Sequence, residues 1–289
     1  MRRLGWIATA ALVACSSSRP AEKPAAAGPA DAGAGTIAER IASTGPLSEQ
    51  EFKAMHELRD DTPPAPRGIE LQVGGARAYL SLPQNKLAPV PGIVVIHEWW
   101  GLNQHIQHWT DRLAGLGYAA LAVDLYGGVI ATTPEQAMAA MKSVQEKDAR
   151  RILAAAVDFL DSDPRIKAPR RGVIGWCFGG GWSLQTAIDH PQLDAAVIYY
   201  GRPETDPAQL GRIRARVLGV FANQDKGIPP ETVAQLEAGL KKAGVVHEIV
   251  RYDADHAFAN PSGPRYDPAA AEAAWKETAR FLAETFAVK

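Results

Sequence analysis

Cys177 is the residue in this chain best placed to do chemistry. It sits in the run Gly175-Trp176-Cys177-Phe178-Gly179, followed by Gly180 and Gly181. The apolar stretch Gly172-Val173-Ile174 precedes it, and a helix-like stretch from Trp182 to Ala187 follows. Strand, sharp turn and helix in that order make a nucleophile elbow, G-x-S-x-G with Cys in the place of Ser. Side chains at the flanking glycine positions would collide with the neighbouring strand and helix. The helix that begins at the turn aims free N–H groups and its positive end at the sulfur. That favours negative charge there and offers a donor to a developing oxyanion. A structural Cys buried in a glycine-rich turn is the plainer reading, but it leaves the strand–turn–helix context unexplained.

A nucleophile in an elbow needs a base and a group to orient the base, in the chain order nucleophile, acid, histidine. Asp225 follows the apolar run Val217–Phe221, and His256 follows the run His247–Tyr252. Both fall at the carboxyl ends of expected strands, on the edge that carries Cys177. Singly, Asp225 reads as a turn residue before Gly227 and His256 as a loop histidine. In this order and after these strands, the three read as a triad. Asp124, Asp255 and His97 are the competitors. Asp124 precedes the nucleophile and is expected to organise the loop behind it. Asp255 adjoins His256, and neighbours in an extended segment point apart.

The elements that must position these residues are legible from Arg67 onward. Ile69–Val73 and Ala76–Leu82 alternate apolar and polar residues around Gly74-Gly75, a hairpin of antiparallel edge strands. Continuous apolar runs at 92–96, 119–123, 172–174, 195–199 and 217–221 read as strands buried on both faces, and 247–252 as the last strand. Helical patterns separate them at about 104–116, 134–161, 180–189, 231–243 and 268–286. This predicts an α/β fold: a mostly parallel, doubly wound sheet with helices on both faces. Its active site belongs at the carboxyl ends of the strands.

His97-Glu98-Trp99-Trp100-Gly101-Leu102-Asn103, Val123-Asp124-Leu125-Tyr126, the elbow, and His256-Ala257-Phe258 together resemble the dienelactone hydrolase family of α/β-hydrolases. The resemblance runs from about Arg67 to the C-terminus. It implies Cys177 as nucleophile, His256 as base and Asp225 as orienter. It also implies that Glu98 contacts the resting cysteine and controls its activation. The family's oxyanion hole maps to the backbone N–H groups of Phe178 and Trp99. Trp100, Tyr126 and Phe258 are expected to contact substrate. Two arginines that hold the substrate carboxylate in dienelactone-specific members have no counterpart here. The loop after Tyr126 lacks arginine, and Asn260 stands four residues after His256. Dienelactone is therefore an unfavoured substrate, with Arg202 and Arg265 expected to be ordinary surface arginines. The expected function is hydrolysis of a small-molecule carboxylic ester, lactone or thioester through an acyl-enzyme on Cys177. The alternative is a non-catalytic envelope lipoprotein that keeps the fold for ligand binding. No metal or organic cofactor is expected.

Ahead of that domain, Met1-Arg2-Arg3 leads an apolar stretch ending in Leu12-Val13-Ala14-Cys15. The stretch is too short to span a bilayer and resembles a bacterial lipoprotein signal. The resemblance implies cleavage after residue 14 and lipid on Cys15, anchoring an exported chain to the cell envelope, with Ser16 pointing to the outer membrane. Residues 15–35 then form a flexible tether, 36–66 a helical extension, and 67–289 the hydrolase domain. Within the extension, Ser48 and Glu51 form a capping box for a short amphipathic helix, packed on the domain or continuing the tether. Cys177 is the only other cysteine of the 289 residues, so lipid on Cys15 leaves it without an intramolecular disulfide partner. The full chain has net charge −1; loss of Arg2 and Arg3 leaves 29 basic against 32 acidic residues, a net charge of −3. Neither suggests a surface for nucleic acid.

Overall fold

The apolar runs become the strands of one sheet. The structure, a computed structural model, describes residues 35–59, 62–84 and 86–287; the expected leader, Cys15 and most of the expected tether lie outside these. β1 (Ile69–Val73) and β2 (Ala76–Ser81) form the hairpin. They are followed by β3 (Gly92–Ile96), β4 (Ala119–Val123), β5 (Arg171–Trp176), β6 (Ala195–Tyr199), β7 (Arg216–Ala222) and β8 (His247–Tyr252). The order across the sheet is β1-β2-β4-β3-β5-β6-β7-β8. β1–β2 and β2–β4 are antiparallel, and every later pairing is parallel. The sequence suggested two edge strands in the hairpin, but only β1 is an edge. Ala78, Tyr79, Leu80 and Ser81 are buried on both faces of β2, and β4 covers its second side.

Side chains alternate across a strand, and the core divides accordingly. Ile93 and Val95 face one layer, with Ile106, Leu113, Trp275 and Phe281. Val94 and Ile96 face the other, with Val157, Leu160, Leu184 and Leu236. The helices supplying these layers are, in chain order, α1 (Ile37–Ile41), α2 (Glu49–Ala54), α3 (Gln104–Gly115), α4 (Pro134–Ser143), α5 (Glu146–Ser162), α6 (Phe178–Asp189), α7 (Pro207–Leu210), α8 (Pro230–Ala243) and α9 (Pro268–Phe286). α3 and α9 cover one face, and α5, α6 and α8 the other. The stretch 134–161 is two helices rather than one. Val144 and Gln145 are extended, with ψ of 119° and 125°. Ser143 Oγ donates to the Ala140 carbonyl and the Gln145 side chain to the Ser143 carbonyl. These side-chain bonds compete with continuation of the helix.

The segment before β1 lies on the carboxyl edge of the sheet. α1 and α2 each open with a capping box, Thr36 with Glu39 and Ser48 with Glu51. Ile41 and Phe52 are buried. Arg40 donates to the Pro203 carbonyl at 3.0 Å and to Gln185 Oε1 at 3.3 Å, and Arg202 Nη2 donates to the Ser43 carbonyl at 3.1 Å. The Arg59 N–H donates to the Ser262 carbonyl at 2.7 Å.

Candidate active site

β5 delivers Trp176 to the carboxyl edge, and α6 starts two residues later. The one residue between them, Cys177, has φ 52° and ψ −116°, a backbone conformation rare for a side-chain-bearing residue. The turn closes only because its neighbours are glycines. A Cβ on Gly175 would lie 2.1 Å from the Gly179 carbonyl oxygen, and one on Gly179 would lie 2.3 Å from that of Ile96. Phe178 is the first residue of α6, so its N–H has no partner within the helix.

Cys177 Sγ lies 3.2 Å from His256 Nε2, and His256 Nδ1 lies 2.6 Å from Asp225 Oδ2. The other carboxylate oxygen of Asp225 accepts from the N–H groups of Gly227 and Ile228 at 2.8 and 2.9 Å. All three side chains are buried. Burial alone would raise the Asp225 carboxyl. The His256 charge and the two backbone donors outweigh it and hold the group below its usual range. Burial likewise opposes charge on His256, but Asp225 and the Cys177 sulfur prevail and push it up to about 10. Both ring nitrogens of His256 are thus engaged, Nδ1 with Asp225 and Nε2 with the sulfur.

Glu98 follows β3 and is buried beside this row. Tyr200 O–H donates to its Oε1 at 3.2 Å and Asn260 Nδ2 to its Oε2 at 2.5 Å. Desolvation raises it to about 7, against the smaller opposing effects of His256, Tyr200 and Asn260. The expected contact from Glu98 to the resting cysteine is replaced by this pair of donors, while the sulfur faces His256. Sequence reasoning missed Tyr200 and gave Asn260 no part. Asn260 is itself fixed by Ser262, whose N–H and O–H donate to its Oδ1 at 2.9 and 2.6 Å. In the sequence, the only signal for Tyr200 was its place at the end of a strand.

The competitors have other tasks. His97 Nδ1 donates to the Glu98 carbonyl at 2.6 Å and its Nε2 accepts from the Leu125 N–H at 3.1 Å, so neither nitrogen is free to act as a base. Asp124 organises the following loop, accepting from the N–H groups of Tyr126 and Gly128. Asp255 accepts from the His256 N–H at 2.7 Å and pairs with Arg265 at 3.5 Å.

Two small cavities meet at Cys177. Room for the centre of a water molecule amounts to about 10 Å³ in one and 20 Å³ in the other, so each holds on the order of one water. Trp99 and Trp100 line the first. Phe178 lines the second. Phe258 does not reach either: it is fully buried, with its ring 5.6 Å from Tyr200 and 5.4 Å from Tyr252. Tyr126 is also buried, packed on His97 and Phe178 at 4.5 and 5.2 Å. Both rings support the site from behind, because the turns after β4 and β8 direct them into the core. Arg265 lines the first cavity and Arg202 the second, which corrects the reading of both as ordinary surface arginines. Nε of each is buried without a hydrogen-bond partner, and Nη1 of Arg265 has only its ion pair with Asp255.

The α2 segment closes the site from above. Phe52 lies in T-shaped contact with Trp99 at 5.2 Å, and the His56 ring lies 4.3 Å from Trp99 and 5.7 Å from His256. Nothing in the sequence singled out His56, which looked like one polar residue of an amphipathic segment.

The dienelactone hydrolase family profile matches residues 76–286. The chain is 33% identical over 228 residues to Protein usf of Aquifex pyrophilus, covering 75% of this chain and 97% of that one. It is 32% identical over 223 residues to a putative carboxymethylenebutenolidase of Methylorubrum extorquens, covering 72% of this chain and 76% of the relative. The crystal structure of a putative dienelactone hydrolase from Klebsiella pneumoniae superposes with a TM-score of 0.67 at 28% identity, over 76% of this chain and 99% of that one. With the match running from β2 to the end of α9, this chain belongs to the dienelactone hydrolase family.

Proposed function

We propose that this protein hydrolyses a carboxylic ester, lactone or thioester through an acyl-enzyme on Cys177. The observation that carries the reading is the continuous row Cys177 Sγ–His256 Nε2–His256 Nδ1–Asp225 Oδ2, at 3.2 and 2.6 Å. The sulfur attacks the carbonyl carbon, and the oxyanion is held by the backbone N–H groups of Phe178 and Trp99. His256 Nε2–H protonates the leaving oxygen or sulfur as the tetrahedral intermediate collapses to a thioester. His256, now neutral, takes a proton from water. The resulting hydroxide attacks the thioester, the C–S bond breaks, and the acid leaves. Asp225 stabilises the imidazolium in both steps.

Substrate charge is read from the arginines. A carboxylate entering a desolvated cleft needs a cationic partner. Arg202 and Arg265 line the cavities at Cys177, so the absence of arginine from the Tyr126 loop and from position 260 does not exclude an anionic lactone. Export and lipid anchorage through Cys15 remain part of the proposal, on the strength of the leader sequence.

The test is a panel of para-nitrophenyl esters, lactones including dienelactone, and acyl thioesters. Cys177→Ala should lower turnover by roughly a thousandfold or more while the fold is kept. Unchanged turnover in the purified variant removes the proposal. Arg265→Ala should lower kcat/KM for carboxylate-bearing substrates by about tenfold, the scale of one charge-assisted hydrogen bond, and leave neutral esters nearly unchanged.

A further inference from the structure

His56 has a buried side chain and contributes nothing to the hydrolytic row. Its Nδ1 is bonded to the Phe52 carbonyl at 2.7 Å, and its Nε2 is buried without a partner. An unmet buried nitrogen costs free energy, so its retention over the site calls for a ligand. One nitrogen of His56, one of His256 and the Cys177 sulfur all lie within 4.8 Å of one another. At His256 the nitrogen facing the sulfur is Nε2, and at His56 the uncommitted one is also Nε2.

We infer that Cys177, His256 and His56 form a binding site for one thiophilic divalent ion of the Zn²⁺ type, which holds the α2 segment closed over the nucleophile. One thiolate and two imidazoles select such an ion over Mg²⁺ or Ca²⁺, which prefer oxygen. Metal–nitrogen and metal–sulfur bonds of about 2.0 and 2.3 Å put tetrahedral ligand atoms roughly 3.3 to 3.6 Å apart. Cys177 Sγ and His256 Nε2 already stand 3.2 Å apart, so the pair needs only a few tenths of an ångström of adjustment.

The outer contacts are those of a metal site. A ligating histidine usually gives its second N–H to a carboxylate or a backbone carbonyl. His256 gives its Nδ1–H to Asp225 at 2.6 Å, and His56 gives its own to the Phe52 carbonyl at 2.7 Å. With Nδ1–H given to the Phe52 carbonyl, His56 Nε2 is the nitrogen left to present a lone pair. Binding displaces the one proton shared by the Cys177–His256 pair and leaves a fourth position for water. The metal occupies the sulfur lone pair that would attack substrate, so the ion is a reversible inhibitor and not a cofactor. The ion site stands whether or not the row hydrolyses esters.

The test is titration of the chelator-treated protein with Co²⁺, a visible reporter for a zinc site. The expected result is one equivalent bound, with a thiolate-to-cobalt charge-transfer band that Zn²⁺ abolishes on displacing the cobalt and Mg²⁺ leaves intact. Cys177→Ala should lose the band. His56→Ala and His56→Asn should each bind at least tenfold more weakly, with circular dichroism showing both folded. In a substrate assay, the zinc concentration giving half inhibition should rise by the same factor in the His56 variants, whatever their basal rates. Absence of the charge-transfer band in the unaltered protein, or His56 variants that bind as tightly as it does, would overturn the inference.

Discussion

At the scale of single residues, Glu98 shows how the fold sets a charge. Its carboxyl is buried, and only Tyr200 O–H and Asn260 Nδ2 donate to it. Desolvation therefore dominates and raises it to about 7 from 4.5. An acid raised in the folded state binds more protons there than in the unfolded chain between these two values. Stability then falls as pH rises through that window. A Gln at this position keeps both contacts: its oxygen accepts from Asn260 and its amide donates to the Tyr200 oxygen. Glu98→Gln should thus gain stability relative to the unaltered protein as pH rises. The difference in Tm should grow by roughly 10 °C between about pH 4.5 and pH 8, given about 1.4 kcal/mol per pKa unit and about 2–4 °C per kcal/mol at this size. Thermal melts across pH check this, and a Tm difference independent of pH would show that Glu98 does not titrate in the window.

At the scale of elements, the α2 segment decides access. The site beneath it has room for little more than single waters, so an ester enters only when α2 shifts or its side chains yield. Phe52 is the largest apolar side chain of α2 and stacks its edge on Trp99 at 5.2 Å. Phe52→Ala should raise kcat/KM severalfold for esters with bulky acyl groups and change short acetyl esters little. It should also cost stability, about 2–4 kcal/mol, at the low end of large-to-small core substitutions because the vacated space adjoins the site. Kinetics over an acyl-length series, with urea melts alongside, measure both effects. A variant with equal losses for short and long esters would place the entrance elsewhere.

At the scale of the whole molecule, the proposal sets a leader and a Pro- and Ala-rich tether ahead of the folded domain. Among the described residues no helix is long and apolar enough to cross a membrane; the proposed anchorage is through Cys15. The mature chain extracted from membranes should begin at Cys15 and exceed its peptide mass by the attached acyl groups, which intact mass spectrometry reads directly. Cys15→Ala should stay unprocessed by the lipoprotein route yet keep hydrolytic activity, because Cys15 is no part of the row at Cys177. An unmodified mature chain would remove the anchor from the proposal.

The sequence alone determined those features carried by local pattern. Five short continuous apolar runs, two alternating stretches around Gly74-Gly75 and the run 247–252 read as strands, and all eight appear where they were read, within two residues at their ends. The glycines around Cys177 marked the elbow because a Cβ at Gly175 or Gly179 meets backbone. Chain order then nominated Asp225 and His256, which the sheet brings to the same edge. Tertiary structure decided what depends on residues far apart in the chain. Tyr200 and Asn260 meet at Glu98 from 102 and 162 residues away, and no periodicity records such a meeting. Arg202 and Arg265 look like surface residues in sequence, but the loops after β6 and β8 fold them toward Cys177. His56 belongs to a segment outside the matched domain, and its place becomes visible only when α2 lies over the row of Cys177, His256 and Asp225. Local sterics write strands and turns into short stretches of sequence. Burial and long-range hydrogen bonding, which set the charge of Glu98 and the closure of the site, exist only once the chain has folded.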